Sequence, residues 1–321
     1  MRLATPKVIL TGLLSYTPLW NLRGKLVKAR IGGASSASYC YGVWLKHLAA
    51  AYDCGLREVP EVVLELGPGE SVGVGLAALL CGASRYLAVD VVKHASTELN
   101  LQVFQELVAL FKRGQEIPDD TEFPYMESKF EQNISPRFIL DRDRIEFCLS
   151  DQRIQSISDA LMRPSPANPI SISYISPAYA DSIIRSNSAG MIISHAVMEH
   201  VDNLEAAYCS MYTWLGSEGI MSHQIDFTSH DLSEYWNGHW TFSNLVWKLI
   251  RGKKSYLLNR EPFSTHIKLQ HKVGFKVLKA IRIENHDGAD RKKLSPQFVD
   301  MSEQDFCTSS ALIVSTKNKS G

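Results

Sequence analysis

The densest chemical signal in the chain is Glu65-Leu66-Gly67-Pro68-Gly69-Glu70-Ser71, which closes the short β-branched run starting at Val62. Glycine at such a bend lets the backbone turn sharply and lets a ligand approach closer than any side chain would permit. Asp90 ends the next apolar run, roughly 20 residues further on, where a carboxylate can accept from both hydroxyls of a ribose. Bend and acid together predict a nucleotide-like ligand. A glycine pair alone serves turn geometry as readily as ligand contact, and the spaced Asp90 with the upstream Glu65 lifts the pattern above that bland reading. The dinucleotide fingerprint Gly-x-Gly-x-x-Gly is not met, because Val72 takes the sixth place and Gly73 comes one residue late. That spacing disfavours a nicotinamide-dependent oxidoreductase.

A second segment, Ser194-His195-Ala196-Val197-Met198-Glu199-His200-Val201, follows another apolar run. Together with Glu65-x-Gly67-x-Gly69 and Asp90 it resembles the class I S-adenosylmethionine-dependent methyltransferases, over about Val62 to Ile225 and two closing strands. The resemblance implies a cofactor, S-adenosyl-L-methionine, held by Glu65, Gly67, Pro68, Gly69, Asp90, Val91, Ser194 and His195. In that likeness the Gly67–Gly69 turn cradles the methionine part, Glu65 orders the turn and Asp90 holds the ribose. Two departures bear on the adenine: Gly190 stands where such enzymes often carry an aspartate, and no acid directly ends Ile170–Ile175. Asp181 and Asp151 are candidates for that contact, and each reads equally well as an exposed loop aspartate.

Methyl transfer from a sulfonium is an in-line displacement, so a protein must hold acceptor and methyl collinear at about 3 Å and exclude water. No covalent nucleophile is needed. Removing a proton from an alcohol or a protonated amine suits histidine. His195 and His223, just past two predicted strands, are the first candidates for catalysis, with His239 and His230 behind them. Any single histidine is more often structural, and His200, one helical turn beyond His195, is read so. Asp226, His230, Trp236, Asn237 and Trp240 then form the predicted acceptor wall, with Arg260 positioned to take an anionic group through its fork. The tryptophans serve equally as packing for a cap. The set His223-x-x-Asp226, His230 and Asn259-Arg260 resembles uncharacterised bacterial methyltransferases. No carboxylate and histidine group shows ligand spacing along the chain, so no metal is expected.

Positioning these groups takes alternating strands and helices. Val62–Leu66, Tyr86–Val89, Met191–Ser194 and Gly219–Ile225 read as buried parallel strands, and Val72–Leu80 and Leu204–Trp214 as helices between them. The third strand is Ile170–Ile175 or Ile145–Leu149, and flanking prolines favour the first. Gly274–Ile283 and Ala311–Ser315 complete a predicted α/β fold: a doubly wound, mostly parallel, Rossmann-like sheet of seven strands. A helical segment over residues 1–58, including a helix over Tyr39–Tyr52, precedes the main domain at 59–321. That domain carries two expected insertions, one helical at about 96–169 and one an aromatic-rich cap at about 227–266.

With 321 residues and 45% hydrophobic content the chain can build a sizeable core. Lys plus Arg and Asp plus Glu number 34 each, so no long-range field draws it to nucleic acid or anionic lipid. The clearest local basic patch is Arg251, Lys253 and Lys254. Six scattered cysteines lack zinc or dithiol spacing. The apolar stretch Val8–Trp20 is interrupted too soon to span a membrane and reads as an amphipathic docking helix. The expectation is a cytoplasmic enzyme with a small-molecule acceptor methylated on oxygen or nitrogen and no nucleic-acid partner. The alternatives are a methyltransferase acting on RNA or protein and a non-catalytic module of the same fold.

Overall fold

The computed structural model describes residues 6–17, 33–91, 95–116, 140, 142–254 and 257–318. Seven strands form one sheet: β1 (Val62–Leu66), β2 (Arg85–Val89), β3 (Ser171–Ile175), β4 (Ala189–His195), β5 (Leu215–Asp226), β6 (Phe275–Glu284) and β7 (Thr308–Lys317). Their order is β3-β2-β1-β4-β5-β7-β6. From β3 to β5 every pairing is parallel, whereas β7 runs antiparallel to both β5 and β6. The third strand is therefore the proline-flanked run, and Ile145 lies instead in the helix Arg142–Cys148. The first five strands follow the same sequence as a dinucleotide-binding sheet, order 3-2-1-4-5-6, but β7 separates β5 from β6. The chain winds outward from β1 to β3 and returns to β4 on the other side, so the strand order reverses between β1 and β4.

Both faces are covered. On one, the helices Ala37–Asp53, Gly73–Leu80, Thr97–Arg113 and Asp151–Met162 pack with Val63, Tyr86, Met191, Ile193 and Ile220. On the other, Leu64, Ile192, Met221, Ile225 and Ile313 meet residues of Leu204–Trp214 and Phe263–Val273, including Tyr208, Met211 and Phe263. Local capping sets several helix starts: Ser36, Ser96 and Asn203 each accept a backbone N–H of the first turn. The helix Leu204–Trp214 matches its expected bounds.

Three sequence expectations change. Ala37–Asp53 is built into the main core, with Trp44 fully buried, rather than leading up to it. Thr97–Arg113 and Asp151–Met162, expected within an insertion, are flanking layers of the sheet; Arg153 ties the second to the carbonyls of Leu79 and Ala83. Of the prolines that break the helical pattern in this stretch, Pro118, Pro124 and Pro136 lie outside the described residues, while Pro164 and Pro166 lie between Asp151–Met162 and β3. Finally, the cap ends before Phe263, because Phe263–Val273 packs beside Leu204–Trp214 and buries His266 against Tyr208.

The cap itself rests on another element. The helix Pro6–Leu14 packs on Asn244–Arg251, with Val8 and Ile9 joining Trp247 and Ile250. At the crossing a Cβ on Gly12 would collide with the carbonyls of Leu249 and Ile250. The expected docking helix thus docks within the chain, and residues 18–20 of that stretch lie outside the described residues. Among the described residues no helix is long and apolar enough to cross a membrane.

Leu107 tests whether Thr97–Arg113 belongs to the core. It is 0% exposed among residues of three neighbouring helices. Leu107→Ala is expected to cost about 2–5 kcal/mol in denaturant unfolding, the range for a core truncation; a change below about 0.5 kcal/mol, the surface range, would place the helix outside the core.

Candidate functional site

Sheets of this kind bind ligands in the crevice outside the carboxyl ends of the strands where the strand order reverses; here that point lies between β1 and β4, and the glycine bend follows β1 at its edge. Gly67 and Gly69 have φ of 66° and 72°, in the left-handed region that disfavours other residues. Gly67 is fixed twice over, since a Cβ there would also collide with Val197 beyond β4. The amide of Gly67 donates to Val89 O at 2.9 Å, and the next turn is pinned by Ser71 and Asn100, which accept from the amides of Gly73 and Val72 at 3.0 Å each. Pro68 is buried, while Gly67, Gly69 and Glu70 stay partly accessible. Asp90, also partly accessible, follows β2 on the neighbouring strand, and its amide donates to Ile175 O at 3.1 Å. Val91 beside it is exposed.

Glu65 lies beneath this edge rather than on it. Its carboxylate is buried and accepts from the Tyr86 hydroxyl. Burial raises its pKa to about 8; the Tyr86 hydrogen bond opposes the shift and the charge of Asp90 adds to it. The partner that orders Glu65 is thus a tyrosine on β2.

At the ends of β4 and β5 the predicted histidines separate. His195 turns toward Ala37–Asp53, its ring edge-on to Tyr39 at 5.8 Å and to His47 at 5.6 Å. Neither ring nitrogen has a hydrogen-bond partner. Burial lowers its pKa to about 4, with Lys46 adding to the shift and Asp226 opposing it, so the ring is neutral at pH 7 and keeps a free lone pair. Ala196, next along, has φ of 53°, a left-handed non-glycine conformation of the kind that concentrates at functional sites. Ser194 and His223, directly paired across β4 and β5, face the opposite side and bond to each other at 2.7 Å. His223 is 0% exposed and lies against Tyr208 in the core, which corrects its expected place at the crevice. Ser194 is likewise spent on that bond.

Asp226, expected from the sequence in the acceptor wall, ends β5 and holds two neighbours. One carboxylate oxygen accepts from the Thr228 amide at 2.7 Å, and the other bonds His230 Nε2 at 2.9 Å. Burial pushes its pKa up, but the His230 and Thr228 interactions outweigh that and the net shift is downward. The His239 ring lies tilted against Trp240, 4.5 Å between centroids, and leaves Nδ1 unpartnered. Burial lowers its pKa to about 3, helped by Arg260 and His230 and opposed by Asp226.

The remaining cap residues hold the cap together. Trp240 is fully buried and donates to Arg260 O at 3.0 Å. Arg260 gives its guanidinium to Phe242 O and Asn244 Oδ1, both at 2.9 Å, and lies over Trp247, so no fork is left for an anion. Asn237 Oδ1 accepts from the Ala289 amide at 2.6 Å. Trp236, partly buried, meets Trp240 edge-on at 6.1 Å. Of the adenine candidates, Asp181 accepts from Ser210 at 3.2 Å and Asp151 lies exposed in the first turn of Asp151–Met162. Gly190 is explained by packing, since a Cβ there would press on Pro60.

Sequence reading missed three groups. Tyr39 and His47 lie on a helix read only as core, although a histidine on a buried stripe is itself a signal; His47 Nδ1 bonds Ser222 Oγ at 2.8 Å. Glu199 is 3% exposed with no hydrogen bond to either carboxylate oxygen.

No family model matches the chain, and no match is found among curated proteins. Among solved structures, the chain is similar to an S-adenosylmethionine-dependent methyltransferase from Mesorhizobium loti at 12% identity and a TM-score of 0.41, covering 84% of this chain and 99% of that one. It is also similar to phosphoethanolamine N-methyltransferase 2 from Haemonchus contortus at 12% identity and a TM-score of 0.42, covering 88% of this chain and 57% of that one.

The buried Glu65 makes stability fall with pH. A carboxyl whose folded pKa stands above its unfolded value binds more protons in the native state, so its contribution is full below about pH 4.5 and declines as pH rises toward about 8. Denaturant midpoints of the ligand-free protein across that window are expected to drop with pH, and Glu65→Gln is expected to flatten the drop. An equal slope in both proteins would mean that Glu65 titrates normally.

Proposed function

We propose that this chain is a class I S-adenosylmethionine-dependent methyltransferase acting on an oxygen or nitrogen of a small-molecule acceptor. The observation that carries the reading is the pair of left-handed glycines at the crevice edge with Asp90 one strand away, all three accessible. The bend removes side chains from where a ligand must approach, and the carboxylate lies where a ribose would follow. The glycine spacing and the β7 insertion both depart from the dinucleotide-binding pattern.

In this reading Gly67, Pro68 and Gly69 form the floor under the methionine end, Asp90 accepts from the ribose hydroxyls and Val91 flanks the base. The bound cofactor supplies an electrophilic methyl on a sulfonium. A lone pair of the acceptor forms the new bond to that carbon while the electron pair of the carbon–sulfur bond stays on sulfur. The protein's task is alignment and exclusion of water. In this reading His195 takes the acceptor's proton as attack makes it acidic, a role supported by its neutral ring and two unpartnered nitrogens. Asp226 favours the imidazolium so formed. His223 has no part in this step.

Calorimetric titration of the full chain is expected to give binding of S-adenosylmethionine and S-adenosylhomocysteine but not NAD. Asp90→Ala is expected to weaken the first two by about 1.5 to 3 kcal/mol, the range for hydrogen bonds to a charged group. Binding of NAD alone would overturn the reading, and unchanged affinity in Asp90→Ala would remove the ribose assignment. With a carbon-13 methyl label on the cofactor and a cell extract as acceptor source, label is expected in the small-molecule fraction; label confined to RNA or protein would contradict that choice of acceptor.

A further inference from the structure

Glu199 lies in the short turn Met198–His200 that follows β4. Its carboxyl is 3% exposed, and no hydrogen bond reaches either oxygen. A buried polar group without a partner is costly. Its charge partner is His200, whose Nε2 stands 4.0 Å from Glu199 Oε1, beyond hydrogen-bond reach.

Two imidazoles stand beside it. Ligand atoms of Glu199, His200 and His230 all lie within 4.8 Å of one another, the one such group among the described residues. We propose that Glu199, His200 and His230 form a divalent transition-metal site at the acceptor side of the crevice, with Asp226 positioning His230 at its rim. Glu199 closes the inner side, while the side chains of His200 and His230 are 28% and 32% exposed, so the site opens outward. Three protein ligands with an open side is the arrangement of a metal that engages a further ligand. Around one ion, bonds of about 2.1 Å place ligands roughly 3 to 4.2 Å apart, so closing the site needs only small rotations of two partly exposed rings. The donor set selects the ion class: mixed imidazole and carboxylate suits Zn2+ or Mn2+ better than the all-oxygen preference of Mg2+.

The frame around these residues is already rigid. Asn259 Nδ2 donates to Met198 O at 2.8 Å and Val201 O at 2.9 Å, and its amide donates to Glu199 O at 2.7 Å, clamping the turn that carries Glu199 and His200. His230 is held by the 2.9 Å bond to Asp226, the outer carboxylate that typically orients a metal-binding imidazole. Sequence spacing misses the group because its ligands come from loops after two different strands. The site stands on its own geometry; its use rests on the methyltransferase reading, under which the ion would engage an acceptor hydroxyl and lower its pKa, making an oxygen acceptor the favoured class.

The full chain, stripped with chelator and dialysed against Zn2+, Mn2+ or Mg2+ without any nucleoside, tests this directly. Elemental analysis and calorimetry are expected to give one equivalent of Zn2+ or Mn2+ per chain and much weaker Mg2+ binding. Glu199→Gln and His230→Ala are each expected to weaken uptake by roughly tenfold or more, and Co2+ loading of the wild type should produce visible absorption that both variants lose. Should Glu199→Gln fail to fold by near-ultraviolet dichroism, the surface variant His230→Ala decides. Absence of stoichiometric uptake, or uptake unchanged in a folded variant, would overturn the site while leaving the cofactor assignment untouched, since no nucleoside takes part in the measurement.

Discussion

The contact between Gly67 and Val197 is the constraint on which the crevice depends. Where the strand order reverses, the turn after β1 and the turn after β4 leave adjacent strands in the same direction and must share one edge. They fit because Gly67 has no side chain and adopts a left-handed conformation, letting the Val197 side chain fill the space a Cβ would take. The same approach fixes the β4 turn, and through it the positions of His195 before Val197 and Glu199 after it. The bend is therefore a packing joint as well as the proposed ligand edge.

Beneath that edge the sheet carries an unusual load of buried polar pairs: Glu65 with Tyr86, His47 with Ser222, Ser194 with His223, and Tyr208 with His266. A buried polar group without a partner is costly, whereas a satisfied pair fixes rotamers and register. Each of these pairs joins two different elements, so together they fasten the flanking helices and neighbouring strands into one arrangement. Burial lowers the pKa of His47, His195, His223, His239 and His266 alike, and neutral rings are cheaper to bury than charged ones. Only those at the crevice end, His195 and His239, combine that neutrality with closeness to Asp226.

The sheet was legible because its strands are short β-branched runs closed by glycine, proline or aspartate, and the helix Leu204–Trp214 because its apolar period is regular. The side of the sheet on which a residue falls was not legible. Both faces of a doubly wound sheet are apolar, so the alternation along Met221-Ser222-His223-Gln224 does not tell which residues meet which helices. His223 thus looked like a crevice residue and is a core one, while Ser222, one step away, touches His47 on the opposite face of the sheet. Arg260 misled for a related reason: its charge suggested an anion, but its partners are a carbonyl, an amide and an indole ring brought close only by the fold. Glu199, His200 and His230 escaped notice because loop closure, not spacing along the chain, brings them together.

The proposed function requires the Gly67–Gly69 edge and Asp90 to receive one nucleoside between them. A crystal structure of the protein with S-adenosylhomocysteine measures this most directly. Both ribose hydroxyls are expected within about 2.6–3.2 Å of the Asp90 carboxylate, hydrogen-bond reach, with the amino-acid end lying over the Gly67–Gly69 backbone. Clear density for the nucleoside elsewhere, with that edge bare, would contradict it.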